Sequence, residues 1–173
     1  GLAGQSIGHG IIVDFSKYMN QILEINAQEG WARVQPGVVC DALLNAAKKH
    51  GYSFGTEPAS SNRATIGGMI ANNSTGAHSV MYGMTADHIL EADVYLSDGL
   101  RAKFSSLDAN ALNAKLESQT REGELYRGIK GVIEKNADAI KDRFPKTWRR
   151  ASGYSLNYMI PPHGYVASRP AVW

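Results

Sequence analysis

The sequence has 173 residues, of which 43% are hydrophobic and 20% are charged, as is typical of a globular domain and not of a disordered chain. The 18 Lys and Arg residues are nearly balanced by 16 Asp and Glu, so the net charge of +2 makes no case for a nucleic-acid partner. The single cysteine, Cys40, excludes an internal disulfide framework, and we expect a reducing, cytoplasmic location and no metal site. No stretch approaches the ~20 consecutive apolar residues of a membrane span, so none is expected.

The first part of the chain predicts strands and one helix. Short apolar or alternating runs predict strands at Ile11–Asp14, Ile22–Ile25 and Trp31–Gln35. Apolar residues then recur at helical spacing and predict an amphipathic helix from Val39 to His50, with Gly51 as its C-terminal stop. The predicted apolar face of this helix consists of Val39, Ala42, Leu43, Ala46 and Ala47.

The residues from Gly55 to Gly83 are rich in Gly, Ser, Thr and Asn, with a short apolar segment at Met69–Ala71. A stretch of this length is unusual as a plain connector, so we expect it to be functional. The strands Ile89–Leu96 and Leu100–Phe104 follow, and the Asp98-Gly99 pair between them predicts a hairpin turn.

The last part of the chain predicts one long surface helix from Gly123 to Phe144. Apolar residues keep helical spacing there, charges occupy the other face, and Pro145 prevents continuation. The tail from Thr147 to Trp173 shows no clear period and is predicted to be irregular.

The glycine-rich segment has the chemistry of a site for an anionic cofactor. Gly67 and Gly68 lack a Cβ, so a phosphate or a flavin ring could approach the backbone and accept hydrogen bonds from its N–H groups. Neutral donors nearby favour a diphosphate or a flavin edge over a lone metal ion: Ser60, Ser61, Thr65, Asn72 and Asn73. Taken alone, the two glycines are equally well explained by a turn that caps a short helix.

The wider pattern is more specific than the glycines. It comprises Ala64-Thr65-Ile66-Gly67-Gly68-Met69-Ile70-Ala71-Asn72-Asn73, Gly76, Tyr82-Gly83, Asp87-His88-Ile89, Val94-Tyr95-Leu96-Ser97-Asp98-Gly99, and upstream Leu2-Ala3-Gly4-Gln5 and Gly30 to Val38. In these residues the chain closely resembles the FAD-binding domain of the PCMH type, found in the p-cresol methylhydroxylase and vanillyl-alcohol oxidase superfamily. It is most similar to the FAD-linked oxidase branch, which includes D-lactate dehydrogenase and the glycolate oxidase FAD subunit.

The resemblance implies an α+β fold in which FAD lies between two α/β lobes. One is a small strand-helix lobe, of which residues 1–57 are the end, and the other is a larger lobe with a mixed or antiparallel sheet flanked by helices, formed by residues 58–173. Leu2 to Gln5 resemble the end of the family's Pro-Arg-Gly-Gly-Gly-Thr pyrophosphate loop. The cofactor-binding residues that the resemblance implies are Gly4, Gln5, Pro58, Ser60, Thr65, Gly67, Gly68, Asn72, Ser74, Gly76, Gly83 and Ile89.

Departures from the family pattern predict a truncated domain. There is no initiating Met and no strand before the opening loop, and the family's downstream Gly-Ser-Glu-Gly-Thr motif is not found before Trp173. The cap domain, where this branch carries its catalytic His, has no counterpart. We therefore expect a fragment that binds FAD weakly, is inactive alone and leaves the catalytic residues unassigned.

In its full context, the resemblance implies a flavin-dependent dehydrogenase or oxidase. It would oxidise a small 2-hydroxy acid, such as D-lactate or glycolate, by hydride transfer to flavin N5, and an electron-acceptor protein is a further candidate partner. Two other interpretations stay open. One is a non-catalytic nucleotide-binding module that keeps the fold, and the other is the FAD domain of a MurB-like reductase.

Other chemically capable residues are interpreted as structural. His78 and His88 could attach flavin or act as bases, but no carboxylate lies at a diagnostic spacing from either. Cys40 is predicted to be a buried, inert thiol, although a helix N-terminus could lower its pKa. Trp31 and Trp148 are interpreted as packing residues.

Overall fold

The computed structural model describes residues 7–147 and 154–160. These residues combine helices with two small antiparallel sheets, as predicted for an α+β fold. They form two compact units, one that ends at His88 and one that begins at Ile89. The lobe boundary between residues 57 and 58 stays a prediction.

The first unit contains a short hairpin of strands β1 (Ile22–Asn26) and β2 (Trp31–Val34). The turn forms because the Asn26 side chain accepts hydrogen bonds from the backbone of Gln28 and Glu29, both at 3.0 Å. Two of the three strands predicted for this part of the chain are therefore confirmed.

Helices α1 (Cys40–Lys48) and α2 (Ile66–Asn72) begin side by side. A single β-bridge joins Val39 to Thr65, and the backbone N–H of Cys40 donates to the Ala64 carbonyl at 2.8 Å. The two helices enclose the hydrophobic core of this unit, which consists of Val38, Cys40, Leu43, Leu44, Ile66 and Met69. Burial of these side chains supplies the main stabilisation, since the hairpin is too small to form a core of its own.

The structure corrects two predictions in this unit. Ile11–Asp14 is not a strand, and Ile11 is 95% exposed. A β-branched run becomes a strand only when a neighbour accepts its backbone hydrogen bonds, and no described residue does so. The predicted apolar face of α1 is also wrong at Ala42, which is exposed, because the bridge at Val39 turns Cys40, Leu43 and Leu44 into the core.

The first unit ends with helix α3 (Ser79–Tyr82) and a 3-10 helix at Thr85–His88. The second unit begins with strands β3 (Glu91–Tyr95) and β4 (Arg101–Ser105), which pair as an antiparallel hairpin. Its turn has the predicted chemistry. Gly99 has a φ of 81°, and the Asp98 carboxylate accepts from the Leu100 N–H at 2.9 Å.

Two helices follow the hairpin, α4 (Ala109–Glu117) and α5 (Arg121–Arg143). The long helix was predicted, but α4, which contains no fully buried residue, was not. A second 3-10 helix spans Leu156–Met159 in the tail that was predicted to be irregular. None of the helices in the described ranges has the length and apolarity that crossing a lipid bilayer requires.

Candidate functional site

The glycine-rich segment begins with a compact turn between Pro58 and Ala64. The N–H of Ser61 donates to the Pro58 carbonyl at 2.9 Å, and the N–H groups of Arg63 and Ala64 both donate to the Ser60 carbonyl. The turn leads into α2, where the Thr65 hydroxyl accepts from the Gly68 N–H at 3.4 Å. That bond is long, so Thr65 is a weak cap and its hydroxyl has capacity for another partner.

The two adjacent glycines of α2 are not equivalent. A Cβ on Gly67 would lie 2.7 Å from the Cβ of Pro36, and the Gly67 N–H donates to the Pro36 carbonyl at 2.8 Å. Gly67 therefore serves the close approach of the chain to itself, and its N–H is already bonded. Gly68 is exposed, and among the described residues a Cβ there would meet only the Thr65 hydroxyl, at 3.1 Å. The open backbone available to a ligand is at Gly68.

Neutral polar side chains accompany this open backbone. Ser60, Ser61 and Asn72 form no side-chain hydrogen bond with any residue in the described ranges, and Asn72 is exposed at the end of α2. Hydroxyl and amide groups of this kind suit the phosphate, ribityl and ring-edge acceptors of a flavin nucleotide. The donor set and the uncovered Gly68 thus fit FAD.

The C-terminal end of α2 is joined to the 3-10 helix at Thr85–His88 by side chains that the sequence analysis did not single out for this role. The N–H and the hydroxyl of Thr85 both donate to the Ser74 carbonyl, at 3.1 and 2.8 Å. The Asn73 side-chain oxygen accepts from the Ala86 N–H at 2.9 Å. The sequence signal that could have located the end of α2 was Asn73 itself. Asn tolerates the left-handed conformation that ends a helix, and the φ of Asn73 is 45°.

Two further glycines of the predicted site have packing roles. A Cβ on Gly76 would lie 1.8 Å from the Glu57 carbonyl oxygen. Gly83 has a φ of 85°, and a Cβ there would lie 2.5 Å from an Asp87 carboxylate oxygen, which accepts from the Met84 N–H. These glycines are required by the fold whether or not they also contact a ligand.

The structure brings most of the predicted cofactor residues, from Pro58 to Gly83, into the first unit. Gly4 and Gln5 lie outside the described residues, and Ile89 is the first residue of the second unit. For each of these residues, direct contact with the cofactor stays a prediction.

The reactive side chains weighed in the sequence have structural environments. The prediction that Cys40 is buried is confirmed. Burial, with smaller contributions from Asp41 and Glu57, raises the pKa of its thiol to about 11, which disfavours the reactive thiolate. Trp31 is half-buried, with its indole N–H donating to Glu29 at 2.6 Å, whereas Trp148 lies outside the described residues.

The two histidines that flank the segment differ. His78 is exposed at the start of α3. His88 is half-buried, with its ring edge-to-face with Phe54 at a centroid distance of 5.1 Å. Burial lowers the pKa of His88 despite opposing effects from the Tyr82 backbone and Asp87. In the described part of the chain, no group of three or more His, Cys, Asp or Glu side chains could hold a metal ion.

Comparison with known proteins agrees with the geometry of the site. The sequence profile of a family described as FAD-binding domains matches residues 1–105. The chain belongs to this family. The predictions of the PCMH-type fold and of FAD as cofactor are thereby confirmed.

Curated relatives of the FAD-binding domain are much longer proteins. The chain is 43% identical to D-2-hydroxyglutarate dehydrogenase of Pseudomonas putida over 164 residues, which are 95% of this chain and 16% of that protein. It is 39% identical over 160 residues to the enzyme of the same name from Escherichia coli, again covering 16% of it. It is also 39% identical over 140 residues to glycolate oxidase subunit GlcD of Bacillus subtilis, covering 28% of that protein.

Proposed function

We propose that this FAD-binding domain serves a flavin-dependent dehydrogenase that oxidises a small 2-hydroxy acid. The observation that carries the proposal is the 43% identity, over 95% of the chain, to a protein named D-2-hydroxyglutarate dehydrogenase. Similarity to a glycolate oxidase subunit supports the broader substrate class, because glycolate and 2-hydroxyglutarate share a hydroxyl group next to a carboxylate. The catalytic residues and the substrate pocket are proposed to lie in other parts of the protein, and the location to be cytoplasmic.

Within the domain, we assign the binding of FAD to the open polar face that starts at Ser60 and continues along α2. The hydroxyls of Ser60 and Thr65 and the amide of Asn72 would donate to the cofactor, and Gly68 would let it approach the backbone. Further proposed contacts come from the rest of the predicted set: Gly4, Gln5, Pro58, Gly67, Ser74, Gly76, Gly83 and Ile89.

When bound, FAD would supply a hydride acceptor, at N5, for oxidation of the carbon that bears the substrate hydroxyl. The contribution of this chain is to hold and orient the cofactor. The side chains assigned to binding are neutral, so they satisfy hydrogen-bond acceptors without adding charge. Residues 1–57 and 58–173 are proposed to belong to the two lobes between which FAD would lie, and an electron-acceptor protein is proposed as a partner.

A titration of FAD with the purified chain tests cofactor binding. We expect saturable quenching of flavin fluorescence with one-to-one stoichiometry, in a chain shown to be folded by circular dichroism. Gly68→Ala fills the open backbone and is expected to weaken binding roughly tenfold. A folded chain that gives no saturable signal would contradict the proposal.

An activity assay separates the enzyme from a module that only binds nucleotide. The protein encoded by the complete reading frame is mixed with FAD, an artificial electron acceptor and a panel of acids. We expect acceptor reduction with D-2-hydroxyglutarate, glycolate or D-lactate and none with succinate, which has no hydroxyl group. FAD binding without reduction by any hydroxy acid would favour the non-catalytic interpretation.

A further inference from the structure

The C-terminal end of α2 is held by a small set of hydrogen bonds that we name the Asn73–Thr85 clamp. The clamp comprises the bonds from the Thr85 N–H and hydroxyl to the Ser74 carbonyl and the bond from the Ala86 N–H to the Asn73 side-chain oxygen. Asn73 also donates to the Met84 sulfur at 3.6 Å. Both side chains of the clamp therefore bridge the same two segments.

The Thr85 part of the clamp is buried in the first unit, whereas the bond from the Ala86 N–H to the Asn73 side chain is exposed. Thr85 has no exposed surface, and Met84 is 3% exposed. Hydrogen bonds shielded from water are stronger than exposed ones, and a side chain that makes them in a buried position restricts the segments that it joins. Asn73 adds a second constraint, because its left-handed backbone ends α2 at this residue.

The other end of α2 is fixed independently. The N–H groups of Ile66 and Gly67 donate to the carbonyls of Val38 and Pro36, each at 2.8 Å. The helix that carries Gly68 and Asn72 is thus anchored at its start by the core segment and at its end by the clamp. A short helix of this kind has little stability of its own, so its position depends on these anchors.

We propose that Asn73 and Thr85 are positioning residues for FAD: they do not contact the cofactor, but they hold the polar face of α2 in the arrangement that binds it. This inference rests on the proposed function. A ligand site gains affinity when its groups are held in the bound arrangement beforehand, because less conformational freedom is lost on binding. Loosening the clamp therefore weakens FAD binding while the fold persists.

The first unit supplies a matched pair of threonines for the test. Thr56 and Thr85 both have no exposed surface, but the hydroxyl of Thr56 has no hydrogen-bond partner among the described residues. Thr56→Val and Thr85→Val are thus the same chemical change, but only Thr85→Val removes a hydrogen bond. The FAD dissociation constant is measured for each full chain by flavin fluorescence, well below its melting temperature.

We expect Thr85→Val to raise the FAD dissociation constant roughly five- to tenfold, Thr85→Ser to restore it within about twofold, and Thr56→Val to leave it unchanged. Asn73→Gly removes the side-chain bonds, keeps the left-handed backbone accessible and gives a second measurement if Thr85→Val does not fold. The expected rise for this variant is of similar size.

The outcomes distinguish the clamp from the proposed function. If the unchanged chain does not bind FAD, the proposed function fails and the positioning role fails with it. If the unchanged chain binds FAD but both clamp variants bind equally well, only the positioning role is overturned, even if their melting temperatures fall. A larger loss of affinity in Thr56→Val than in Thr85→Val would also overturn it.

Discussion

The glycine-rich segment and the β3–β4 hairpin reach their structures by different routes. The hairpin has a local explanation, with a turn made by Asp98 and Gly99 and strands that pair with their sequence neighbours. The segment around α2 depends on distant partners, since Gly67 bonds to Pro36 and Gly76 packs on Glu57. Glycine therefore has a different role in each region. Gly99 permits a turn, whereas Gly67 and Gly76 permit close contact between separate parts of the chain.

The largest expected effect is on the free energy of unfolding, when one glycine in each region is replaced by alanine. Gly76→Ala places a Cβ against the Glu57 carbonyl, where backbone must move, and we expect a loss of about 3 kcal/mol in the free energy of unfolding. Gly99→Ala meets open space but keeps a φ of 81°, and we expect a loss of about 1 kcal/mol. Urea denaturation measures both, and equal losses would remove the distinction between the two regions.

A smaller effect is expected for the adjacent glycines of α2, which differ in how closely they pack against their neighbours. Gly67→Ala meets Pro36 and should cost about 2 kcal/mol of stability. Gly68→Ala should change stability by less than about 0.5 kcal/mol, because the Thr65 hydroxyl is its only close neighbour in the described part of the chain and alanine favours the helix. The same two variants are then titrated with FAD. If Gly68→Ala lowers stability but leaves FAD binding unchanged, the assignment of Gly68 to FAD binding is wrong.

The smallest expected effect is a pH dependence from His88. Burial lowers the pKa of His88 in the folded chain. Just below the ordinary histidine pKa of 6.5, His88 is therefore protonated in the unfolded chain and still neutral in the folded one. The free energy of unfolding should therefore fall as the pH drops below about 6.5 and level off below the lowered folded pKa. At higher pH this contribution is constant.

Chemical denaturation between pH 5 and 7.5 measures this slope. His88→Gln should flatten the slope in that window. The β3–β4 hairpin contains no histidine. Hydrogen exchange of its amides therefore allows the pH dependence of its stability to be compared with that of the first unit. Identical slopes for the unchanged chain and His88→Gln would contradict the assignment.

The amount of the candidate site that could be predicted differs from residue to residue. Motifs identified the FAD-binding family, because a cofactor constrains residue type at several neighbouring positions, and the role of Pro58 to Gly83 as its site stays a prediction. They did not separate Gly67 from Gly68, since both residues look alike until Pro36 is seen beside one of them. The hydrogen bond of the Thr85 side chain was also not predicted, because its acceptor is the Ser74 backbone carbonyl and a backbone group has no sequence signal.

The sequence by itself determined the features that depend on neighbours along the chain: the hairpin turn at Asp98-Gly99, the long helix that ends before Pro145, and the family motif. The tertiary structure decided the features that depend on partners far away in the chain. Ile11–Asp14 has the composition of a strand but no described strand beside it, and α1 buries Cys40 and Leu44 where spacing alone favoured Ala42. The physical reason is that local propensities are worth fractions of a kcal/mol per residue, whereas pairing and burial are worth more and involve partners that no local pattern specifies.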